Sequence, residues 1–308
     1  MENKPKIVEV RNLSHRYSVN WAIRDINFEI TERGVVGLLG SNGAGKSTTM
    51  NIICGVLNQT EGDVLLGGIN IRENPIEAKK LLGFLPQRAP LHPELTVDEY
   101  LWHCADIRRI PKSEIPAAIA RAKQKCGLTE YSHRLIKNLS GGYQQRVGIA
   151  QSIIHNPPFV VLDEPTNGLD PNQIVQVRQL IREIAEERAV LISTHILPEV
   201  QATCDQIKMI EHGRMVFSGT LAEFNNCAAP STLVAMMDAA PDDAKLLEIP
   251  TVQRVERITS KRIRIHFEGD SSIVREIMRR SVEEGWQLSE IFLEKQSLDT
   301  VFAKLSGK

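Results

Sequence analysis

The glycine-rich segment Gly40-Ser41-Asn42-Gly43-Ala44-Gly45-Lys46-Ser47, with Thr48 directly after it, is the strongest indicator of the fold. It fits the pattern G-x-x-x-x-G-K-[ST], and it stands between the apolar run Val35–Leu39 and a helical stretch. Glycines let the backbone N–H groups curl around phosphate oxygens, which a Cβ atom would obstruct. The following helix points the positive end of its dipole at the same oxygens. The stretch therefore predicts a phosphate-binding loop.

Two acidic residues follow a second apolar run. The run Phe159–Leu162 leads into Asp163 and Glu164, and the ligands of parallel sheets bind at the carboxyl ends of strands. We expect Lys46 to neutralise the β- and γ-phosphates of a nucleotide and Ser47 to bind Mg²⁺. Asp163 is expected to hold the same ion through water, and Glu164 to polarise the attacking water. The acid pair is a weak signal alone, but with the phosphate loop it predicts nucleotide hydrolysis.

Composition and charge are those of an ordinary globular protein. Its 308 residues suggest about two domains, 42% of them are hydrophobic, and 37 basic residues nearly balance 38 acidic ones. Because nucleic-acid binders usually carry a basic excess, no nucleic-acid partner is expected. No apolar run approaches the ~20 residues that cross a bilayer, and no signal peptide is recognised at the start. The five scattered cysteines fit a reducing compartment such as the cytoplasm.

Hydrophobic patterning predicts an α/β architecture that contains a helical block. The predicted strands are Ile7–Val10, Ile26–Ile30, Val35–Leu39, Phe159–Leu162, Val190–Ser193, Ile207–Glu211 and Met215–Phe217. The helical block comprises Thr96–Ile107, Ser113–Cys126 and Gly141–Ile154, with Thr96 and Ser113 as expected N-caps. From residue 231 onward, strands at 231–237, 251–257, 261–267 and 286–293 alternate with helices at 241–247, 271–283 and 297–305. That order suggests a small ferredoxin-like domain.

A third motif points to one protein family. The segment Leu139-Ser140-Gly141-Gly142-Tyr143-Gln144-Gln145-Arg146 resembles the LSGGQ-type signature of ABC ATPases. The other motifs of that family follow in order over about residues 5–225. Tyr17 stands at the position of the adenine-stacking aromatic, with Trp21 as the alternative, and Gln87 stands at the Q-loop. Asp170 resembles the D-loop aspartate, with a simple helix cap as the alternative, and His195 resembles the switch histidine.

The resemblance implies a fold and a set of residue roles. The fold is an α/β phosphate-loop NTPase core with an antiparallel β subdomain and a helical subdomain, plus the small α+β (ferredoxin-like) C-terminal domain. The predicted boundaries are 1–228 for the ABC ATPase domain, about 88–155 for its helical subdomain, and 229–308 for the accessory domain, because the composition shifts near Asn225–Pro230. The implied catalytic residues are Glu164, His195, Gln87 and Lys46, and the implied Mg²⁺ ligands are Ser47, Gln87 and Asp163. The implied ATP contacts are Tyr17, Gly40, Ser41, Asn42, Gly43, Ala44, Gly45, Lys46, Ser47, Thr48, Ser140, Gly141, Gly142, Gln144 and Asp170.

The resemblance also implies partners and a location. Two ATPase subunits, expected to form a homodimer, pack head to tail with each ATP between Lys46 of one and Ser140 of the other. A heterodimer is the alternative arrangement. A membrane permease is expected to seat a short helix near Gln87–Ile107, so the ATPase would lie at the cytoplasmic face of the inner membrane. Apolar residues there are expected to be mostly core: Leu91, Leu95, Tyr100, Leu101 and Trp102.

The direction of transport rests on softer cues. The signature, the segment Thr166–Pro171 and the ending Ser297–Phe302 resemble exporter ATPases of the drug, gliding-motility and antibiotic-resistance type. Many members of that group carry Glu at the position of Gln87, so the match is imperfect. The alternatives are an importer motor and a non-transport ABC protein of translation or DNA repair. An exporter motor is the preferred prediction.

Overall fold

The computed structural model describes residues 6–225, 227, 232–269, 272–294 and 302–303. The chain divides into two compact units, Met1–Leu221 and Ala222–Lys308; the expected domain boundary at 228 remains a prediction. The strands of the first unit are β1 (Val8–Tyr17), β2 (Asn20–Ile30), β3 (Gly34–Leu39), β4 (Glu61–Leu66), β5 (Ile69–Asn70), β6 (Leu82–Leu85), β7 (Phe159–Asp163), β8 (Ala189–Thr194), β9 (Gln206–Glu211) and β10 (Arg214–Thr220). Its helices are α1 (Lys46–Ile53), α2 (Pro75–Lys80), α3 (Val97–Ile107), α4 (Ile115–Cys126), α5 (Gly141–Ile153), α6 (Pro171–Ala185) and α7 (Leu197–Thr203).

A six-stranded sheet with the order β10-β9-β3-β8-β7-β6 forms the centre of the first unit. All neighbouring pairs are parallel except β9 and β10. The three strands that read as continuous apolar runs, β3, β7 and β8, lie in the middle and are almost wholly buried. The predicted α/β fold is confirmed, and the carboxyl ends of these strands bring their loops to one edge.

A second, antiparallel sheet has the order β2-β1-β4-β5. One hydrophobic core joins it to the central sheet, because Val8, Leu13 and Ile26 pack in the same cluster as Leu38 and Phe159. The implied antiparallel subdomain is therefore present. Its strands β4 and β5 were not among the predicted strands, because β4 begins with the polar, glycine-containing Glu-Gly-Asp and β5 has only two residues.

The edge strand β6 was also absent from the predictions, since it has four residues and contains Gly83. That glycine is required by packing: a Cβ atom at residue 83 would lie 1.9 Å from the backbone oxygen of Ser152 in α5. Two hydrogen bonds hold the same contact. Gln151 Nε2 donates to the Phe84 carbonyl at 2.7 Å, and His155 Nε2 donates to the Leu82 carbonyl at 3.1 Å.

Replacing Gly83 with alanine is expected to lower the free energy of unfolding by about 1–3 kcal/mol, because backbone must move to admit the methyl group. Chemical denaturation followed by far-UV circular dichroism measures this change. The matched control is Gly148→Ala in α5, where the atoms nearest to the new Cβ belong to side chains and not to backbone, Leu85 Cδ1 at 2.8 Å and Ala89 Cβ at 3.1 Å. A smaller loss for Gly83→Ala than for Gly148→Ala would contradict the close backbone contact.

The helical block contains α3, α4 and α5. Thr96 is the predicted N-cap of α3, and with Glu99 it forms a capping box. The expected cap at Ser113 is wrong: the N-cap of α4 is Glu114, because the N–H groups of Glu114 and Ile115 turn back to the Pro111 carbonyl. Of the described helices, none is long and apolar enough to cross a bilayer.

The second unit contains β11 (Thr232–Met237), α9 (Asp243–Leu247), β12 (Val252–Arg257), β13 (Arg262–Phe267), α10 (Ser272–Glu284) and β14 (Leu288–Leu293), and a short helix α8 (Leu221–Asn225) precedes them at the division between the units. Its antiparallel sheet has the order β12-β13-β11-β14, which confirms the predicted ferredoxin-like topology. Of the predicted helix at 297–305, only residues 302 and 303 lie within the described residues, and both are helical.

Candidate active site

The phosphate loop leaves the end of β3 and enters α1 through Gly45. The φ angle of Gly45 is +110°, and a Cβ atom there would lie 2.5 Å from the Ile23 side chain, so only glycine fits. Helix α1 has no side-chain cap, which leaves its first N–H groups free to face an anion. Lys46 Nζ donates to the carbonyls of Gly40 and Ser41 at 2.8 and 2.9 Å.

Lys46 is buried, and the charges of several carboxylates act on its ammonium group. Burial lowers the pKa of the Lys46 ammonium group, while the charges of Glu164, Asp163 and Glu211 act in the opposite direction. The loop thus holds a cation whose hydrogen-bond partners are two backbone carbonyls. Phosphate oxygens are stronger acceptors than carbonyls for an ammonium group, so the lysine is suited to exchange its partners for a nucleotide.

The acid pair lies at the end of β7, next to the end of β8. Asp163 is buried, and burial raises the pKa of its carboxyl group. The Ser193 hydroxyl donates to the Asp163 carboxylate and accepts the backbone N–H of Glu164 at 2.9 Å. Ser193 therefore fixes the positions of both acidic residues.

Three side chains converge on the carboxylate of Glu164. Gln87 Nε2 and Asn167 Nδ2 donate to Oε2 at 2.8 and 3.1 Å. His195 Nδ1 donates to Oε1 at 3.1 Å. The structure thus brings together Gln87, Glu164 and His195, which lie at the ends of three neighbouring parallel strands. Such an arrangement holds one carboxylate in a fixed orientation beside the exposed ring of His195.

The aromatic position at the end of β1 is exposed. Tyr17 is 53% exposed, and the ring of His15 packs edge-on against it with centroids 4.7 Å apart. The alternative stacker, Trp21, is flanked by the guanidinium groups of Arg16 and Arg24, at 5.7 and 5.0 Å from its ring centroid. Tyr17 therefore offers an open ring face, whereas the ring of Trp21 already has two cationic neighbours.

The signature segment forms the start of α5. Ser140 is its N-cap, and like Gly141 it is exposed. Gly142 is buried against Gln173, whose Cδ would lie 2.8 Å from a Cβ at residue 142. Gln144 turns back, since its Nε2 donates to the carbonyls of Ile136 and Leu139 at 3.2 and 3.1 Å. Ser140 and Gly141 thus present a second open helix start.

Asp170 stands beside this second helix start. Its carboxylate caps α6 by accepting the N–H of Gln173 at 2.9 Å, so the cap that was the alternative reading is present. Asp170 also lines a cavity of about 270 Å³ together with Ser140, Gly142 and Arg146. Asp170 therefore caps α6 and at the same time lies beside the signature segment.

Donor chemistry suits Mg²⁺ at the phosphate loop. The hydroxyl of Ser47, the amide of Gln87 and the carboxylate of Asp163 are oxygen donors of the kind that this ion prefers. Among the described residues, no group of three or more His, Cys, Asp and Glu forms a metal site. The three predicted ligands alone would leave coordination positions for water and nucleotide phosphates, as is usual for Mg²⁺.

Three residues of this region were missed by sequence reasoning: Asn167, Ser193 and Glu211. Asn167 follows the acid pair by three residues. Ser193 is the penultimate residue of the strand beside it, and Glu211 ends the strand on the other side of the loop strand. A polar residue at the carboxyl end of a parallel strand is a usable signal. Their hydrogen-bond partners depend on strand order, which the sequence alone does not provide.

Comparison with known proteins agrees with this geometry. The family described as ABC transporter matches residues 23–167. A second family, described as "AAA domain, putative AbiEii toxin, Type IV TA system", matches residues 136–200. The uncharacterized ABC transporter ATP-binding protein YxlF of Bacillus subtilis (strain 168) is 34% identical over 70% of this chain and 72% of its own length. The chain therefore belongs to the ABC transporter ATP-binding proteins, and it is an ATPase that binds ATP.

Two further relatives extend the comparison. The linearmycin resistance ATP-binding protein LnrL of the same organism is 26% identical, and the match covers 98% of this chain and 99% of LnrL. The ABC-type organic anion transporter ABCA8B of Mus musculus is 32% identical over 92% of this chain but only 18% of its own length. Among solved structures, the dimeric post-hydrolysis state of the ATP-binding cassette MJ0796 with ADP and Pi is similar. It has a TM-score of 0.62 and 26% identity, covering 70% of this chain and 98% of that one.

Proposed function

We propose that the protein is the motor subunit of a membrane exporter, in which two copies bind and hydrolyse ATP and drive a separate permease. The observation that supports export is the match to LnrL, which includes the second unit as well as the ATPase unit. ABC ATP-binding subunits act with membrane permeases and dimerise. We also propose that the protein lies at the cytoplasmic face of the inner membrane, where it is bound to the permease.

The proposed chemistry is assigned to the residues at the ends of the parallel strands. Lys46 neutralises the β- and γ-phosphates, and the Glu164 carboxylate accepts a proton from the attacking water. Gln87 and Asn167 orient that carboxylate through the hydrogen bonds to Oε2, and His195 contacts Oε1. Mg²⁺, when held by Ser47, Gln87 and Asp163, supplies charge neutralisation at the phosphates.

The proposed dimer uses both open helix starts of the chain. Each nucleotide would contact the Lys46 loop of one subunit and Ser140 and Gly141 of the other. Both segments begin a helix without a side-chain cap, and such helix starts suit phosphate oxygens. Because ATP then forms part of the interface, its binding favours the closed dimer and its hydrolysis releases it.

Removing the aromatic ring of Tyr17 is expected to weaken ATP binding by about 1–3 kcal/mol, because base stacking on an aromatic side chain contributes about this amount. Titration of the purified protein with a fluorescent ATP analogue measures the affinity of Tyr17→Ala. Trp21→Ala is the matched control and should change the affinity little. If Trp21→Ala has the larger effect, the stacking residue is Trp21.

The permease is proposed to dock beside α3. Tyr100 and Leu101 are core residues, as expected, whereas Trp102 is 45% exposed and Ile107 is 65% exposed. A cavity of about 410 Å³ lies between β6 and α3 and is lined in part by Phe84 and His92. A concave site with exposed apolar side chains suits an amphipathic helix of a partner.

Inside-out vesicles that hold the protein and its permease test the direction of transport. The vesicles are incubated in cell extract with ATP, and mass spectrometry compares their contents with those of vesicles that carry Glu164→Gln. Export predicts ATP-dependent accumulation of at least one compound inside, because the outer face of the vesicles is the cytoplasmic face. ATP-dependent loss of a preloaded compound from the vesicles would instead identify an importer.

A further inference from the structure

We propose that Glu211 is a positioning residue for ATP hydrolysis, which holds the first turn of the phosphate loop in the shape that receives phosphate. Glu211 ends β9, the parallel neighbour of the loop strand β3. Its carboxylate accepts the Ser41 backbone N–H at 3.0 Å through Oε2 and the Ser41 hydroxyl through Oε1. Both donor groups of Ser41 are therefore directed at one buried side chain.

The position of this carboxylate is unusual because it is 3% exposed and lies close to a site for phosphate, which is also an anion. Burying a carboxylate is unfavourable unless it is hydrogen-bonded or paired. Ser41 supplies two hydrogen bonds. The negative charge of Glu211 also interacts favourably with the Lys46 ammonium group. Lys46 in turn donates to the Ser41 carbonyl. Lys46 also donates to the Gly40 carbonyl at 2.8 Å. The Gly40–Ser41 peptide is thus held by Glu211 at its N–H and by Lys46 at its C=O.

The turn after Glu211 contacts the loop a second time. The N–H of Gly213 donates to the Ala44 carbonyl at 3.0 Å, and the Gly213 carbonyl accepts the N–H of Arg24 at 2.7 Å. A Cβ atom at Gly40 would lie 2.1 Å from the Ile210 carbonyl oxygen. The β9–β10 turn therefore supports both ends of the phosphate loop and connects it to β2.

Loss of the Glu211 contact is expected to weaken ATP binding more than it slows the chemical step. If Ser41 is released, its peptide can rotate and the following N–H groups lose their common direction, which weakens the grip on phosphates. The attacking water is handled by Glu164 on another strand, so the chemical step is affected less. A positioning role of this kind predicts a change in KM for ATP with a smaller change in kcat.

Steady-state ATP hydrolysis by the purified full-length chain tests the proposal. Glu211→Ala is expected to raise KM for ATP about tenfold or more, because two hydrogen bonds to a charged group are lost, with kcat within about threefold. Glu211→Gln should restore most of KM, since its amide can still accept the Ser41 N–H and donate to the hydroxyl. Ser41→Ala should raise KM less than Glu211→Ala, and the double variant should resemble Glu211→Ala.

Asp205 provides a matched control at the other end of β9. Its carboxylate accepts the Val35 N–H at 2.8 Å, so Asp205→Ala removes the same type of bond far from the phosphates. Asp205→Ala should lower thermal stability without raising KM. The proposal is overturned if Glu211→Ala leaves KM unchanged, if Glu211→Gln is as impaired as Glu211→Ala, or if Asp205→Ala raises KM equally. Should Glu211→Ala fail to fold, the comparison of Glu211→Gln with Ser41→Ala decides: Ser41→Ala must raise KM more.

Discussion

Exchange of Glu164 for glutamine is expected to reduce steady-state ATP hydrolysis by about 10²–10³-fold while ATP affinity stays within about threefold. General-base catalysis contributes about 10²–10⁴ in rate, and a neutral amide cannot accept the proton of the attacking water. The amide is nearly isosteric, so its oxygen can still accept the bonds from Gln87 and Asn167. The group facing His195 becomes a donor, and the imidazole must then present an unprotonated Nδ1.

Two measurements separate loss of chemistry from loss of binding for this variant. Phosphate release reports turnover, and size-exclusion chromatography in the presence of ATP reports the ATP-bound dimer, which should accumulate because hydrolysis no longer releases it. Glu186→Gln is the matched control, since Glu186 is an exposed acid at the end of α6 and should behave like the natural protein. If Glu164→Gln loses ATP binding or keeps more than a tenth of its turnover, the assigned role is wrong.

Replacing Lys46 with alanine is expected to weaken ATP binding by about 10- to 100-fold, because hydrogen bonds to a charged group contribute about 1.5–3 kcal/mol. The surroundings of this lysine enlarge the effect. Glu164, Asp163 and Glu211 all act on the Lys46 ammonium group, and without its charge these carboxylates repel the incoming phosphates. Hydrolysis should fall at least as far as binding.

Isothermal titration calorimetry with ATP measures the affinity of Lys46→Ala directly. Lys79→Ala is the matched control, because Lys79 Nζ also donates to a backbone carbonyl, that of Gly55 at 2.9 Å, but lies in α2. The control should bind ATP normally. Equal affinity of Lys46→Ala and the natural protein would show that the lysine does not contact the phosphates.

The central sheet and the ATP-binding loops were predictable because they depend on local patterns. Apolar runs such as Phe159–Leu162 identify buried strands, and the glycines before Lys46 identify the loop without any knowledge of the third dimension. Strand β6 was not predictable in this way. Its Gly83 weakens a strand pattern, and the reason for the glycine, the Ser152 carbonyl, lies far along the sequence.

In the candidate site, too, some features follow from local sequence patterns and others from contacts between residues that are distant in the sequence. The acids were predicted from their type and position and the histidine from the family resemblance, but the partners of the acids, Asn167 and Ser193, follow from the fold. Ser193 reaches both acids only because β8 lies beside β7. The N-cap of α4 failed for a comparable reason: a turn around Pro111 determines where the helix begins, and Ser113 lies within that turn.

The contact between Gly83 and Ser152 gives α5 the mechanics of a lever. Its far end is fastened to the sheet by the tight approach at Gly83 and by the bonds from Gln151 and His155, whereas Ser140 lies at the opposite tip. With a rise of 1.5 Å per residue, the twelve residues from Ser152, the fulcrum, to Ser140 span about 18 Å. A tilt of about 10° around the fulcrum therefore swings Ser140 through about 3 Å, the length of one hydrogen bond. In the proposed dimer, a small angular displacement of the helical block would be enough to make or break the contact between Ser140 and the nucleotide.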